Sequence, residues 1–519
     1  MMAKPNFVMI VTDQHCASWL SCAGHPVVRT PNIDRLAKRG VRFREFHTAS
    51  PVCMPNRASI LTGRYPSVHG LKYNGCALSN DARTFVETLA NAGYETAAIG
   101  KSHLQPFTGI PAKRLKDKSP DRQDNEAWKH DFAGLDLECP VHYEPDERFQ
   151  FPDSYYGFKH VEMVTGHGIE CGGHYLQWLR KQTPDWRRLR DPKEQLGHNY
   201  SVPQACRTIM PEELYPTRYI ENQTIDWLKQ KKEQTDPFFL FVSFPDPHHP
   251  FNPPGKYWDR YQPEQFSLHT PISAFSTLAP PLAFAHERFK AGGVADTPQE
   301  AFAATDRQCL EAMALSAGML EMIDDAVGSI VDQLETQGLS DNTVIIFTSD
   351  HGDYMGDGNL LLKGPWLRQN LHHVPMIWSD PIGSRGEIDV LGSSIDFAPT
   401  ILGRAGLEPY FGLQGRDLLE DVANKGGRDS LLIEFNDNVP RLGLTKPART
   451  RTVYRKDGRL TVFAGEGYGE LYDSGLDPSH LSNRWKDAAS VDLKATLLEE
   501  LSVLMAEAMD ESPRSFYRA

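Results

Sequence analysis

"DNTVIIFTSDHGD", residues 341–353, passes from polar residues through an unbroken apolar stretch and ends on Asp350, His351 and Asp353. Such a run marks a strand buried on both faces of a parallel sheet, with polar side chains delivered at its carboxyl end. "NFVMIVTDQ" (6–14) and "DPFFLFVSFPDPHHP" (236–250) repeat the design. Between them, "TPNIDRLAKRG" has helical spacing with Pro near its start and Gly at its end. "VRFREFHTAS" reads as strand, "MPNRASILTGRYP" as helix, "TFVETLANAGYETAAIGKSH" as helix then strand, and residues 307–337 as a long helix. Strands alternating with helices give an α/β fold with a mostly parallel central sheet. Ligands in such sheets collect at the carboxyl ends of the strands. The tips Asp13-Gln14, Lys101-Ser102-His103, Asp246 to His249 and Asp350-His351 are therefore predicted to converge.

The chain has 519 residues, 40% hydrophobic and 24% charged, with a formal net charge of −13. That balance suits a soluble globular protein and lacks the basic footprint of a nucleic-acid or anionic-membrane binder. An anionic substrate must then be drawn in by local cations. No apolar run approaches the roughly 20 residues that span a bilayer, and the N-terminus enters a strand without a signal-like segment. The eight cysteines are scattered without CxxC spacing, which speaks against a zinc site or a disulfide framework and for a reducing cytoplasm.

Residues 1–405 are expected to form the large domain. Its stretch 106–235, rich in aromatics and histidines, reads either as a substrate-facing insertion or as a local core under long loops. After 405 the pattern changes. "RTVYRKDGRLTVFAGEGYGELYD" has hairpin character and "DLKATLLEELSVLMAEAM" is amphipathic, so 406–519 is expected to form a smaller α+β domain with an antiparallel sheet. The terminal "DESPRSFYRA" reads as a tail or a subunit bridge, and a homodimer or higher homo-oligomer is expected.

Asp13, Asp350 and His351, with Gln14 offering a carbonyl oxygen, suit a hard divalent cation: calcium, magnesium or manganese rather than zinc. Cys53 opens a helix, where backbone N–H groups favour negative charge, and Arg57 lies one turn along on the same face. A thiolate nucleophile fits the helix terminus but sits awkwardly beside a hard cation, which prefers an oxygen nucleophile.

"CMPNR" followed by "ASILTGRYPSVHG" resembles the type I sulfatase signature, C-x-P-x-R followed by a helix ending T-G-R. "NFVMIVTDQ", "TPNIDRLAKRGVRF", "GYETAAIGKSH", "DPHHPFNPP", "TVIIFTSDHGDYMG" and "GELYDSGLDP" resemble successive blocks of that family in order, most weakly over 106–235. The resemblance implies an alkaline-phosphatase-like fold and a sulfuric ester hydrolase of arylsulfatase type. It implies that Cys53 is oxidised to Cα-formylglycine by a formylglycine-generating enzyme that reads CMPNR. The hydrate would be both nucleophile and metal ligand, and hydrolysis would pass through a covalent enzyme–sulfate. Asp13, Gln14, Asp350 and His351 would hold the metal, with Gln14 standing where many members have Asp. Arg57 and His103 would hold the diol, His103 taking the proton of its second hydroxyl. Lys101, His248, Lys363 and Asn74 would contact the sulfate of a small ester, with His248 or Lys363 protonating the leaving oxygen. Phosphonate monoester and phosphodiester hydrolases share this chemistry and are the alternative. They tend to carry Tyr and Thr where this chain has Lys101 and His103, which favours sulfate.

Overall fold

Asn6–Thr12 (β1) is apolar throughout because both of its faces are covered. Val8 and Ile10 enter one core with Leu320, Ile323 and Val327, while Phe7, Met9 and Val11 enter another with Met54, Ala58 and Ile401. The computed structural model describes residues 4–110, 133–231, 236–295 and 297–517. Parts of the aromatic-rich stretch (111–132 and 232–235) and the end of the terminal segment (518–519) lie outside the described residues.

The further strands are β2 (Val41–His47), β3 (Glu95–Gly100), β4 (His160–Thr165), β5 (Gly172–Gly173), β6 (Phe238–Ser243), β7 (Phe302–Ala303), β8 (Thr343–Ser349), β9 (Leu360–Leu361), β10 (Met376–Ser379) and β11 (Gly386–Ser393). Among the described residues they form a nine-stranded sheet in the order β11-β2-β10-β8-β1-β6-β3-β4-β5 and a β7–β9 ribbon. β8, β1, β6, β3 and β4 are contiguous and parallel, with Val8 opposite Leu240 on one side and Ile345 on the other. β10 runs antiparallel to β8 and β2, and β5 antiparallel to β4. The central sheet is mostly parallel, as the alternating pattern implies.

Two helices frame the site. Asp306–Thr336 starts at a capping box in which Thr305 and Gln308 satisfy each other's backbone N–H groups, and it packs along one sheet face. Cys53–Thr62 is buried at every residue and stops at Gly63, whose φ of 61° and close approach to Ala398 leave no room for a side chain.

The described part of 106–235 contributes to both the central sheet and the core. β4 extends the parallel sheet, and Tyr175, Tyr219 and Trp227 are core residues. Its aromatics were ambiguous in sequence because a buried strand and a local core share the same apolar composition. Beyond it, β12 (Ser430–Asn436), β13 (Arg449–Arg455), β14 (Gly458–Phe463) and β15 (Gly469–Asp473) form a separate antiparallel sheet. Leu497 and Leu501 of helix Val491–Glu507 pack on its Val453 and Leu460, each such burial contributing about 1.5–3 kcal/mol.

Candidate active site and metal centre

Five adjacent strands end at one place. β1 delivers Asp13 and Gln14, β8 Asp350 and His351, β6 Ser243 and then the Asp246–His249 turn, β3 Lys101 to His103, and β4 His167. The Cys53–Thr62 helix points its N-terminal end at the same spot, with Cys53 at its start and Arg57 one turn along. Gln14 (φ 65°) and His103 (φ 58°) take left-handed conformations as the chain leaves the sheet, a strain of about 1–3 kcal/mol each that the surroundings must hold. Glu138 holds the second: its buried carboxylate accepts from the N–H groups of His103 (3.0 Å), Leu104 (2.8 Å) and Gln105 (3.0 Å), and from the Tyr155 hydroxyl (2.6 Å).

Ligand atoms of Asp13, Cys53, Asp350 and His351 all lie within 4.8 Å of one another. His351 Nδ1 donates to the Gly352 carbonyl at 2.8 Å, which leaves the Nε2 lone pair facing Cys53 Sγ at 3.0 Å and Asp13 Oδ1 at 3.5 Å. Asp350 accepts from the Gln14 and His351 N–H groups and from Arg57 Nε at 2.7 Å. Two carboxylates and a correctly turned imidazole around one point fit a hard divalent cation.

Cations crowd the other side. Lys101 Nζ donates to Asp13 Oδ2, and Arg57 Nη1 donates to the Lys101 carbonyl and to Ser243 Oγ, both at 2.8 Å. Lys363 Nζ donates to Gln14 Oε1 at 2.8 Å and to His248 Nε2 at 3.0 Å. The Gln14 carbonyl is thus engaged with a lysine, while its amide nitrogen donates to Asp353 at 2.5 Å. Asn74 is exposed, and its side-chain oxygen accepts from the Met54 N–H at the helix start. Among the described residues, Arg57 Nη2 and His103 Nδ1 are buried without a hydrogen-bond partner, and Arg57 Nη2 is left with an ion pair to Asp13 at 3.5 Å.

The charges set the protonation states. Burial opposes ionisation of Asp13, but its cationic neighbours, Lys101 first and Arg57 with it, outweigh that and hold its carboxyl well below the usual range. Burial likewise pushes the Cys53 thiol up, and Asp13 acts in the same sense, yet the neighbouring ammonium groups, Lys363 first and Lys101 with it, bring it below its ordinary value. His103 and His248 are pushed well below the usual imidazole range by burial and by neighbouring cations or imidazoles, so both are neutral.

All the residues singled out from sequence thus stand at or beside one centre. Sequence reasoning gave no place in the site to Ser243, His167, Asp353 or Glu138. Ser243 and His167 follow buried strand runs, a signal that was available; Glu138 carries no local signal at all.

A family model described as Sulfatase matches residues 5–407. The chain is 27% identical to the uncharacterized sulfatase YidJ of Escherichia coli (strain K12), over 98% of this chain and 88% of that one. It is 28% identical to an arylsulfatase of Clostridium perfringens (strain 13 / Type A), over 92% and 90%. Its structure superposes on a phosphonate monoester hydrolase of Agrobacterium radiobacter with a TM-score of 0.76 at 25% identity, covering 98% of this chain and 97% of that one.

Proposed function

The chain belongs to the sulfatase family, and from that premise we propose that it hydrolyses sulfate monoesters, aryl sulfates first, at the centre around Cys53. The observation that carries this reading is the meeting of Asp13, Asp350, His351 and Cys53 with Lys101 and Lys363 on the carboxyl edge of one sheet. In this reading a formylglycine-generating enzyme converts Cys53 to Cα-formylglycine. Its hydrate would supply an oxygen nucleophile, and a divalent cation (calcium or manganese, magnesium as a further choice), when bound, would supply Lewis acidity for that hydroxyl.

The protein's own residues do the rest. Asp13, Asp350 and His351 would hold the cation. Arg57 Nη2, which makes no hydrogen bond but pairs with Asp13 at 3.5 Å, and His103 Nδ1, buried without a hydrogen-bond partner, would face the diol, and neutral His103 would take its second proton. Lys101, Lys363 and Asn74 hold the sulfate oxygens, where positive charge in a dry site is worth most. His248 Nδ1 donates to the His249 carbonyl at 2.6 Å, so its Nε2 has no proton to give and accepts from Lys363. That favours Lys363 as the acid for the leaving oxygen, with His248 orienting it. Gln14 shares the Lys363 ammonium and leaves the metal one anionic ligand fewer than an Asp would.

The phosphonate monoester hydrolase likeness supports a second activity on phosphonate or phosphate diesters at the same centre. We further propose domain limits of 1–405 and 406–519, a cytoplasmic location in keeping with eight unpaired cysteines, and a homo-oligomer. No helix among the described residues is long and apolar enough to cross a membrane.

The test compares kcat/KM for 4-nitrophenyl sulfate and phenyl phenylphosphonate, on protein whose formylglycine content has been measured by peptide mass spectrometry. The sulfate ester should be preferred by about tenfold or more, the scale of one well-placed pocket contact. A large preference for the phosphonate would sink the sulfatase reading.

A further inference from the structure

His167 enters the site from β4, the fifth parallel strand, and nothing in the reaction proposed above uses it. Its Nε2 lies 2.7 Å from Lys101 Nζ and 3.7 Å from Asp13 Oδ2. An ammonium only donates, so His167 Nε2 accepts and the ring's proton sits on Nδ1. The ring lies flat on His248, with centroids 3.6 Å apart and planes 9° from parallel. His248 has the same arrangement, its Nε2 accepting from Lys363. Two parallel imidazoles therefore hold two lysines side by side, and both lysines bear on the Cys53 thiol.

An ammonium has three protons. Asp13 and His167 take two of those on Lys101, which fixes the direction of the third. With the His167 acceptor gone, Lys101 is free to turn both remaining protons toward the carboxylates around it. With the ring gone, His248 keeps its bond to the His249 carbonyl and its contact with the His249 ring but loses the flat surface on its other face, so the acceptor it offers Lys363 is less firmly fixed.

We propose that His167 is a positioning residue for the sulfate group, holding Lys101 between Asp13 and the bound anion and bracing the His248–Lys363 pair beside it. The proposal rests on the sulfatase reading of this centre. It assigns a function to the end of β4, inside the stretch where the sequence resembles the family least.

Inorganic sulfate binding to a Cys53→Ala protein, supplied with divalent cation and measured by calorimetry, reads the site without turnover. His167→Phe keeps a flat ring and loses the acceptor; His167→Gln keeps an acceptor and loses the ring. On the Cys53→Ala background, His167→Phe should weaken sulfate binding by roughly 10- to 100-fold, the scale of a lost charge-assisted hydrogen bond. His167→Gln should regain most of that loss, with melting temperatures of both variants close to the parent. In the enzyme with Cys53 intact, His167→Phe should lower kcat/KM for 4-nitrophenyl sulfate by a similar factor. Unchanged sulfate affinity in His167→Phe would overturn the proposal, as would no sulfate binding by the Cys53→Ala parent, or equal losses in both variants alongside a fallen melting temperature. Failure of the sulfatase reading itself would look different: no turnover of any sulfate ester by formylglycine-bearing wild type.

Discussion

His167, His248 and His249 form one run of stacked imidazoles, with neighbouring centroids 3.6 and 3.9 Å apart. His47, His372 and His373 form a looser group, with His372 and His373 at 5.0 and 4.9 Å from His47. Burial holds the rings of both groups below the usual imidazole range. Their partners differ. In the first group His167 meets Lys101 and His248 meets Lys363, and both lysines bear on Cys53. In the second, His47 meets Glu45 (3.3 Å) and His372 (3.0 Å), packs on Tyr454 of β13, and His373 meets the Arg44 carbonyl (2.8 Å). The first group holds two buried lysines beside Cys53. The second ties β2 and the segment before β10 to the antiparallel sheet. A buried histidine is thus given its task by the charges it faces, not by its burial or by the company of other histidines.

Breaking the first region at its centre should have the largest effect. Cys53→Ala should lower turnover of 4-nitrophenyl sulfate by roughly 10³-fold or more, as removal of a nucleophile does, with the thermal melt little changed. Wild-type protein that carries only intact thiol at Cys53 yet turns over at full rate would remove the formylglycine proposal.

Next in size is Lys363→Ala. Loss of a general acid costs roughly 10²–10⁴-fold when the leaving alcohol needs a proton, and much less when it does not. The variant should therefore lose far more activity on an alkyl or sugar sulfate than on 4-nitrophenyl sulfate, whose phenolate leaves readily. Equal losses on both would move the acid role away from Lys363.

The contrast also marks what sequence can reveal. Asp13, Lys101, Asp350 and His351 were legible because each directly follows a buried strand, and that pattern is local. Cys53 and Arg57 were legible through a short motif. The task of His167 arises from sheet order, since only the pairing of β4 with β3 brings it to Lys101. Glu138 reaches the His103 turn from more than thirty residues away, and its partners are backbone N–H groups that no residue pattern announces. The Gln14 oxygen was predicted for the metal, but its orientation depends on Asp353 and Lys363, which meet it only in the folded chain. The antiparallel sheet was visible as hairpins, whereas its attachment through His47 and Tyr454 was not.

The second region should respond in stability and scarcely in rate. His372→Phe keeps a ring in the stack but removes the bond to His47. It should cost about 1–3 kcal/mol, the scale of a buried polar group losing its partner, and leave kcat/KM within about twofold. Acid should act on this region in the same sense. His47 and His372 are depressed below the ordinary value of 6.5 by burial first, and His372 further by His47, Arg459, His373 and His480. Between the folded and unfolded values the unfolded chain binds more protons, so stability rises with pH in that window. Their contribution is complete above pH 6.5 and is lost as the pH falls below it. Glu45, held down to about 2 by His47, His373 and Tyr454 against its burial, adds a loss in the same direction below its ordinary 4.5. Melting temperature should therefore fall steadily on titrating from pH 7 to 4, and His372→Phe should flatten the part of that slope nearest 6.5. A variant slope identical to wild type would show that this group carries no share of the acid sensitivity, and that its likeness to the first group ends at geometry.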